Sequence, residues 1–221
     1  MAPRIALIHA VTVAIDPVGA AMRELWPDAF VMNLLDDSLS TDRAGQEELT
    51  PEMHGRIADL GDYALRRRAD GVLYTCSAFG AAIAGFAERA PVPVLKPNEA
   101  MFEAALAAGD RIGMLATFAP SIASMTEEFE ALAASLGRAG ARLESHCVPE
   151  AMAALRAGDG ESHDRRLAEA AGRFSGFDVV LLAQFSTARA KAAVSAVIGQ
   201  PALTSPHSAV AKLRSLVLPA I

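Results

Sequence analysis

Short runs of apolar, often β-branched residues recur along the chain, separated by longer segments whose apolar side chains return every three or four positions. Arg4–His9, Phe30–Leu34, Gly71–Thr75, Val92–Leu95, Arg111–Leu115, Arg142–Ser145, Asp178–Leu182 and Pro201–Leu203 read as strands. The first, third, fifth and seventh are almost continuously apolar, as parallel strands covered on both faces must be. Between them, Pro51–Arg68 carries Met53, Ile57, Leu60, Ala64 and Leu65 at helical spacing. It opens on Thr50, Pro51 and Glu52: a capping hydroxyl, a proline suited to the first turn and an early acid. Ser121–Leu136 and Ser162–Phe174 repeat the pattern, the latter opening on Ser162, His163 and Asp164. Asp36–Gln46, polar and rich in Ser and Asp, is the longest expected loop. Strands alternating with helices define an α/β protein with a mostly parallel sheet.

The pattern also repeats. Arg4-Ile5 and Arg111-Ile112 each open an apolar strand, Asp70–Tyr74 matches Asp178–Leu182, and Pro93–Leu95 matches Pro201–Leu203, all at an offset of 107 or 108 residues. A constant offset predicts two pseudo-symmetric lobes, each a roughly four-stranded, mostly parallel sheet flanked by helices. Residues 1–97 with 207–221 are expected to form the first lobe and residues 98–206 the second. In such a pair the ligand is expected in the cleft between the lobes, at the carboxyl ends of the strands.

Composition narrows the function. Of 221 residues 47 are alanine, so the 52% hydrophobic content comes largely from a weakly hydrophobic side chain. No apolar run nears the roughly 20 residues that span a bilayer, and no signal-peptide pattern opens the chain. A soluble cytoplasmic protein with no membrane partner is expected. The net charge of −6, with only short basic clusters such as Arg66–Arg68, disfavours a partner held by phosphate neutralisation, so no nucleic acid is expected. The two cysteines, Cys76 and Cys147, read as reduced thiols. The five histidines are dispersed without HxxxH or CxxC companions, so no metal is expected. Neither a phosphate-binding loop nor a GxSxG nucleophile elbow occurs.

The chemistry is sought just after the matching strands. In the first half these residues are Thr75, Cys76, Ser77, Ala78, Phe79 and Gly80; in the second, Ala183, Gln184, Phe185, Ser186, Thr187 and Ala188. Cys76 and Gln184 are equivalent in the repeat. Each stands where a strand hands over to a helix, and free N–H groups with a positive helix end favour an anion there, whether a substrate carboxylate or a thiolate. Cys76 is therefore expected to have a lowered pKa; the competing reading makes it a small buried hydrophobe. The hydroxyls of Thr75, Ser77, Ser186 and Thr187 either hold a carboxylate or an enediolate oxygen or cap the helices that follow. His9 ends the first strand and His207 follows Ser205-Pro206. Each is a second acid/base or substrate-orienting group, or else a capping or packing residue. Thr117, after the fifth strand, and Asn33, near the end of the second, complete the expected binding set.

Asp70–Gly80 (DGVLYTCSAFG) and Asp178–Ala188 (DVVLLAQFSTA), in two similar lobes, resemble the aspartate/glutamate/hydantoin racemase superfamily, which also contains maleate isomerases and arylmalonate decarboxylases. The resemblance covers essentially the whole chain and implies an enzyme without a cofactor. Racemases of that superfamily use two cysteines as base and acid on opposite faces of the substrate's α-carbon. Cys76 matches the first; Gln184 stands where the second belongs, and an amide has no proton to titrate near neutral pH. Cys147, at a strand end without a partner at the repeat offset, is expected to pack. The arylmalonate decarboxylases keep one catalytic cysteine in the second lobe, with glycine at the first position; this chain resembles the mirror arrangement.

The resulting expectation is a racemase- or isomerase-type enzyme acting on a small carboxylate or carbonyl compound, with Cys76 as acid/base. Decarboxylation with protonation by one thiol is the first alternative. A hydrolase in which His9 or His207 activates a nucleophilic Cys76, and a binding protein without catalysis, are the others. Because closed dimers are the commonest oligomers, a homodimer or higher oligomer is expected.

Overall fold

The computed structural model describes residues 2–46 and 48–218. The chain folds as two compact units: one runs to Pro97 and takes in the chain from Ala209 on, and the other is Asn98–Ser208. His207 thus belongs with the second unit.

In the first unit β1 (Arg4–His9), β2 (Phe30–Leu35), β3 (Gly71–Tyr74) and β4 (Val94–Leu95) form a parallel sheet in the order β2-β1-β3-β4. Its helices are α1 (Ile15–Leu25), α2 (Ser38–Ala44), α3 (Pro51–Arg66) and α4 (Gly80–Ala87). In the second unit β5 (Arg111–Ala116), β6 (Arg142–Cys147), β7 (Val179–Leu182) and β8 (Ala202–Thr204) take the same order, β6-β5-β7-β8, again parallel. Its helices are α5 (Glu99–Ala108), α6 (Pro120–Ser135), α7 (Pro149–Arg156), α8 (Gly160–Ala171) and α9 (Lys191–Ser195). A last helix, α10 (Ser205–Val217), starts in the second unit and continues into the first. No helix among the described residues is long and apolar enough to cross a membrane.

The apolar periodicity explains which strands are central. β1, β3, β5 and β7 are buried along nearly their whole length, whereas the edge strands β2 and β6 alternate between exposed and half-buried positions. The close approach of helix to sheet is set by small residues: a Cβ built on Gly113 of β5 would lie 2.5 Å from the buried Phe174 ring.

The repeat extends to individual hydrogen bonds. The Asp70 carboxylate accepts the Arg4 N–H at 2.7 Å, and the Asp178 carboxylate accepts the Arg111 N–H at 2.8 Å. The Thr75 N–H reaches the Ile8 carbonyl, and the Ala183 N–H the Leu115 carbonyl, both at 2.9 Å. Pro93 and Pro201 present their carbonyls to Val72 and Val180 at 2.9 and 3.0 Å.

Three local expectations are corrected. The Asp36–Gln46 segment is not a loop, because Ser38–Ala44 forms α2 with Leu39 buried beneath it. So short and polar a helix has no stability of its own. Arg56 of α3 holds it, donating to Asp36 at 2.6 Å, to Ser38 Oγ at 2.6 Å and to Asp42 at 2.5 Å. Helix α8 opens earlier than Ser162: its cap is Asp159, whose carboxylate accepts the Ser162 N–H at 2.9 Å. The fourth strand is shorter than Val92–Leu95, since Pro93 has no N–H to give a ladder. The expected Thr50 cap is present and accepts the Met53 N–H at 3.2 Å.

Candidate active site

Cys76 follows β3 directly, in extended conformation, and caps a single turn of 3-10 helix (Ser77–Phe79) that leads into α4. Its half-buried thiol lines a small cavity of the first unit together with His9, Leu39, Ile57, Tyr74 and Phe79. Three nearby groups favour the thiolate: the Ala78 N–H, the Ser40 hydroxyl and the Arg43 guanidinium. The expected lowering of the Cys76 pKa is nevertheless reversed. Burial is the largest influence and pushes the thiol up, leaving a group that is protonated at neutral pH.

His9 is fully buried and binds three strands together. Its Nε2 donates to Asn33 Oδ1 of β2 at 3.0 Å, and its Nδ1 lies 2.9 Å from the Thr75 hydroxyl at the end of β3. With Asn33 accepting, Nε2 carries the proton and Nδ1 accepts from Thr75, the pattern of a neutral imidazole. Burial lowers the His9 pKa against the raising effect of the Asn33 bond. Both ring nitrogens are therefore committed, and so is the Thr75 hydroxyl, which also lies 3.3 Å from the Ile8 carbonyl. Ser77 is half-buried and Ala78 exposed, with the Ala78 carbonyl accepting from Arg43 Nε at 3.4 Å.

In the second unit Gln184 follows β7 as Cys76 follows β3. Its side chain is wholly engaged. The Oε1 accepts the Thr117 N–H at 3.0 Å and the Thr117 hydroxyl at 3.3 Å, and Nε2 donates to Ser121 Oγ at 2.7 Å. Its backbone is unusual for a residue with a side chain, at φ 65 and ψ 148. Phe185, Ser186 and Thr187 follow in a buried 3-10 turn. The Thr187 hydroxyl donates to the Ala183 carbonyl and, at 2.8 Å, to that of Gln184, so it braces the turn. His207 sits in the first turn of α10 with Nδ1 2.7 Å from the Thr204 hydroxyl. Cys147, the last residue of β6, is a half-buried free thiol.

The fold thus gathers His9, Asn33, Thr75 and Cys76 in one unit, and Thr117, Gln184 and Thr187 in the other. Ser40, Arg43 and Ser121 belong to these clusters and were not visible in the sequence. Ser40 and Arg43 lie in the presumed loop, and Ser121 carries no signal beyond its place near a helix start. Phe118, 51% exposed beside Thr117, adds an apolar surface to the second cluster. Among the described residues, no three His, Cys, Asp or Glu side chains gather as a metal site would require.

These features meet in one family. Residues 12–214 match the family model described as Asp/Glu/Hydantoin racemase, and the chain belongs to that family. Its fold is similar to those of several solved racemases and of a decarboxylase. An allantoin racemase from Klebsiella pneumoniae superposes with a TM-score of 0.71 at 17% identity, covering 98% of this chain and 88% of that one. A glutamate racemase isoform from Bacillus anthracis gives 0.69 at 14% identity, with coverages of 97% and 81%. Unliganded arylmalonate decarboxylase gives 0.61 at 17% identity, with coverages of 99% and 94%. No curated protein sequence matches the chain.

Proposed function

We propose that the protein is a racemase- or isomerase-type enzyme that needs no cofactor, in which Cys76 moves a proton at a carbon next to a carboxylate or carbonyl. The supporting observation is the environment of one sulfur. At the end of β3 the Cys76 thiol meets an N–H from Ala78, a hydroxyl from Ser40 and the charge of Arg43, yet burial keeps it protonated. Cys76 thus rests protonated and can donate, while the three groups beside it favour the thiolate that remains. The thiolate removes the α-proton, the electron pair moves into the carbonyl as an enolate-like intermediate, and a second acid delivers a proton to the other face of the carbon.

The second acid/base is not a thiol, since Gln184 holds the equivalent position and its amide is bonded to Thr117 and Ser121. Of the two imidazoles considered, His9 is spent on Thr75 and Asn33, so His207, paired with Thr204, is the candidate. Ser77 and the exposed Ala78 edge in the first unit, and Ser186 in the second, are each proposed to hold a carboxylate oxygen. A chemistry that needs a reduced thiol suits the cytoplasm.

A second reading has its own support. A single protonated thiol, with a non-titrating amide at the equivalent position of the repeat, fits a decarboxylase: the carbon–carboxylate bond breaks, CO₂ leaves, and the carbanion takes the Cys76 proton. Proton NMR in D₂O, on amino acids, hydantoins, maleate and substituted malonates, separates the readings. Exchange at the α-carbon without loss of mass supports the racemase, and a deuterated monoacid with CO₂ supports the decarboxylase. Both readings fail if Cys76→Ala performs as well as the parent.

A further inference from the structure

The segment expected to be a loop carries two side chains to the Cys76 sulfur. From helix α2, Leu39 is buried in the cavity that Cys76 also lines. From the same helix Arg43 donates through Nε to the Ala78 carbonyl at 3.4 Å, clamping the turn that follows Cys76, and through Nη1 to the Gln46 carbonyl at 2.5 Å. Ser40, three residues earlier and so on the same helix face, favours the Cys76 thiolate with its hydroxyl. The helix is not left to find this position. Arg56 of α3 binds Asp36 before it, Ser38 at its start and Asp42 within it, and Asp36 also accepts the Ser38 hydroxyl at 2.7 Å.

We propose that Ser40 and Arg43 are positioning residues, seated by the Arg56 clamp, which orient the Cys76 sulfur and stabilise the negative charge it carries between proton transfers. The proposal rests on the reading of Cys76 as the acid/base. A hydroxyl donated to sulfur and a guanidinium beside it are worth more in a cavity walled by Leu39, Ile57 and Phe79 than they would be in water. Among the described residues, few other ionisable groups line the cavity. β1 presents His9, whose pKa burial lowers, and β3 presents Tyr74, whose hydroxyl donates to the Ile57 carbonyl at 2.7 Å. The residues from α3 and α4 that line the cavity, Ile57 and Ile83, are apolar, while Arg56 is shared between Asp36 and Asp42, a cluster that keeps one net negative charge. Arg43 is the cation that acts on Cys76.

The test is the pH dependence of Cys76 alkylation by iodoacetamide, followed by intact mass spectrometry in a Cys147→Ser background. The expected result is a curve displaced to higher pH in both Ser40→Ala and Arg43→Gln, with alkylation at pH 7 slowed about tenfold in the latter. Arg43→Lys keeps the charge and should stay within about threefold of the parent, because a point charge replaces the fork but not the sign. Arg89→Gln, which removes a cation of the same unit paired to Asp62 on the surface, should overlay the parent. Curves for Ser40→Ala and Arg43→Gln that superpose on the parent overturn the proposal; so does an equal displacement in Arg89→Gln, which would reveal a general charge effect. The reading of Cys76 itself is judged separately, by turnover of Cys76→Ala, and either can fail while the other stands.

Discussion

The side-chain oxygen of Gln184 accepts two hydrogen bonds from one residue, the backbone N–H of Thr117 at 3.0 Å and its hydroxyl at 3.3 Å. The amide therefore joins the carboxyl ends of β7 and β5, and with Ser121 it reaches the start of α6. At the position where the resemblance to racemases implies a thiol, this chain has a bracing group. It holds the strand ends in place and exchanges no proton.

The brace also carries backbone strain. Gln184→Ala loses the side-chain bonds and leaves the Thr117 N–H without its partner, at a cost of about 1–3 kcal/mol. Gln184→Gly loses the same bonds but is at ease at φ 65, so it should be about 1 kcal/mol more stable than the alanine variant. Urea unfolding midpoints give the order. Alanine above glycine would mean that the backbone conformation is not strained.

Replacing Cys76 separates catalysis from folding. Cys76→Ser should lower kcat by about 10²–10⁴, the usual worth of a positioned acid/base. The thiol is half-buried and isosteric with serine, so stability should change by less than about 1 kcal/mol. Steady-state kinetics beside thermal unfolding would show it. Loss of activity together with collapse of the fold would make Cys76 a packing residue.

His9 makes stability depend on pH in a known direction. Its folded-state pKa lies below the ordinary 6.5 because burial disfavours the imidazolium. As pH falls through 6.5 the unfolded chain takes up the proton first, so the stability His9 contributes is whole above that pH and is lost on acidification. His146 is shifted in the same direction, so the His9 share is the difference between the parent and His9→Gln. Unfolding midpoints measured above and below pH 6.5 should diverge in the parent and draw together in the variant.

Arg56 should matter more locally than globally. Its pairs with Asp36 and Asp42 lie near the surface, where such pairs are worth about 0–1 kcal/mol. Arg56→Ala should therefore barely move the thermal midpoint, while hydrogen exchange across Ser38–Ala44 accelerates because α2 has little else to hold it. Unchanged exchange there would show that Leu39 alone seats the helix.

Much of this architecture was legible in the chain. The eight strands lie within two residues of their expected bounds, because continuous apolar runs between turn signals admit few other structures. The offset of Asp70 and Asp178 announced two equivalent carboxylates, and each accepts the backbone N–H of an equivalent arginine. Cys76 and Gln184 were found as equivalent strand-end residues for the same reason. Helix α2 was not found, since its seven residues hold neither a full amphipathic period nor a cap that binds by its side chain.

What the sequence determined by itself is what depends on near neighbours in the chain: strand and helix positions, the doubled βαβ order, and the pairing of Cys76 with Gln184 as counterparts. The tertiary structure decided what depends on groups far apart in sequence. It spent both nitrogens of His9 on Thr75 and Asn33, 66 and 24 residues away, and brought Ser40 and Arg43 to a cysteine more than thirty residues on. It also reversed the direction expected for the Cys76 pKa. Hydrogen-bond donors near a strand end can be read from local pattern, but burial sums over every element packed around the sulfur, and that sum exists only once the chain has folded.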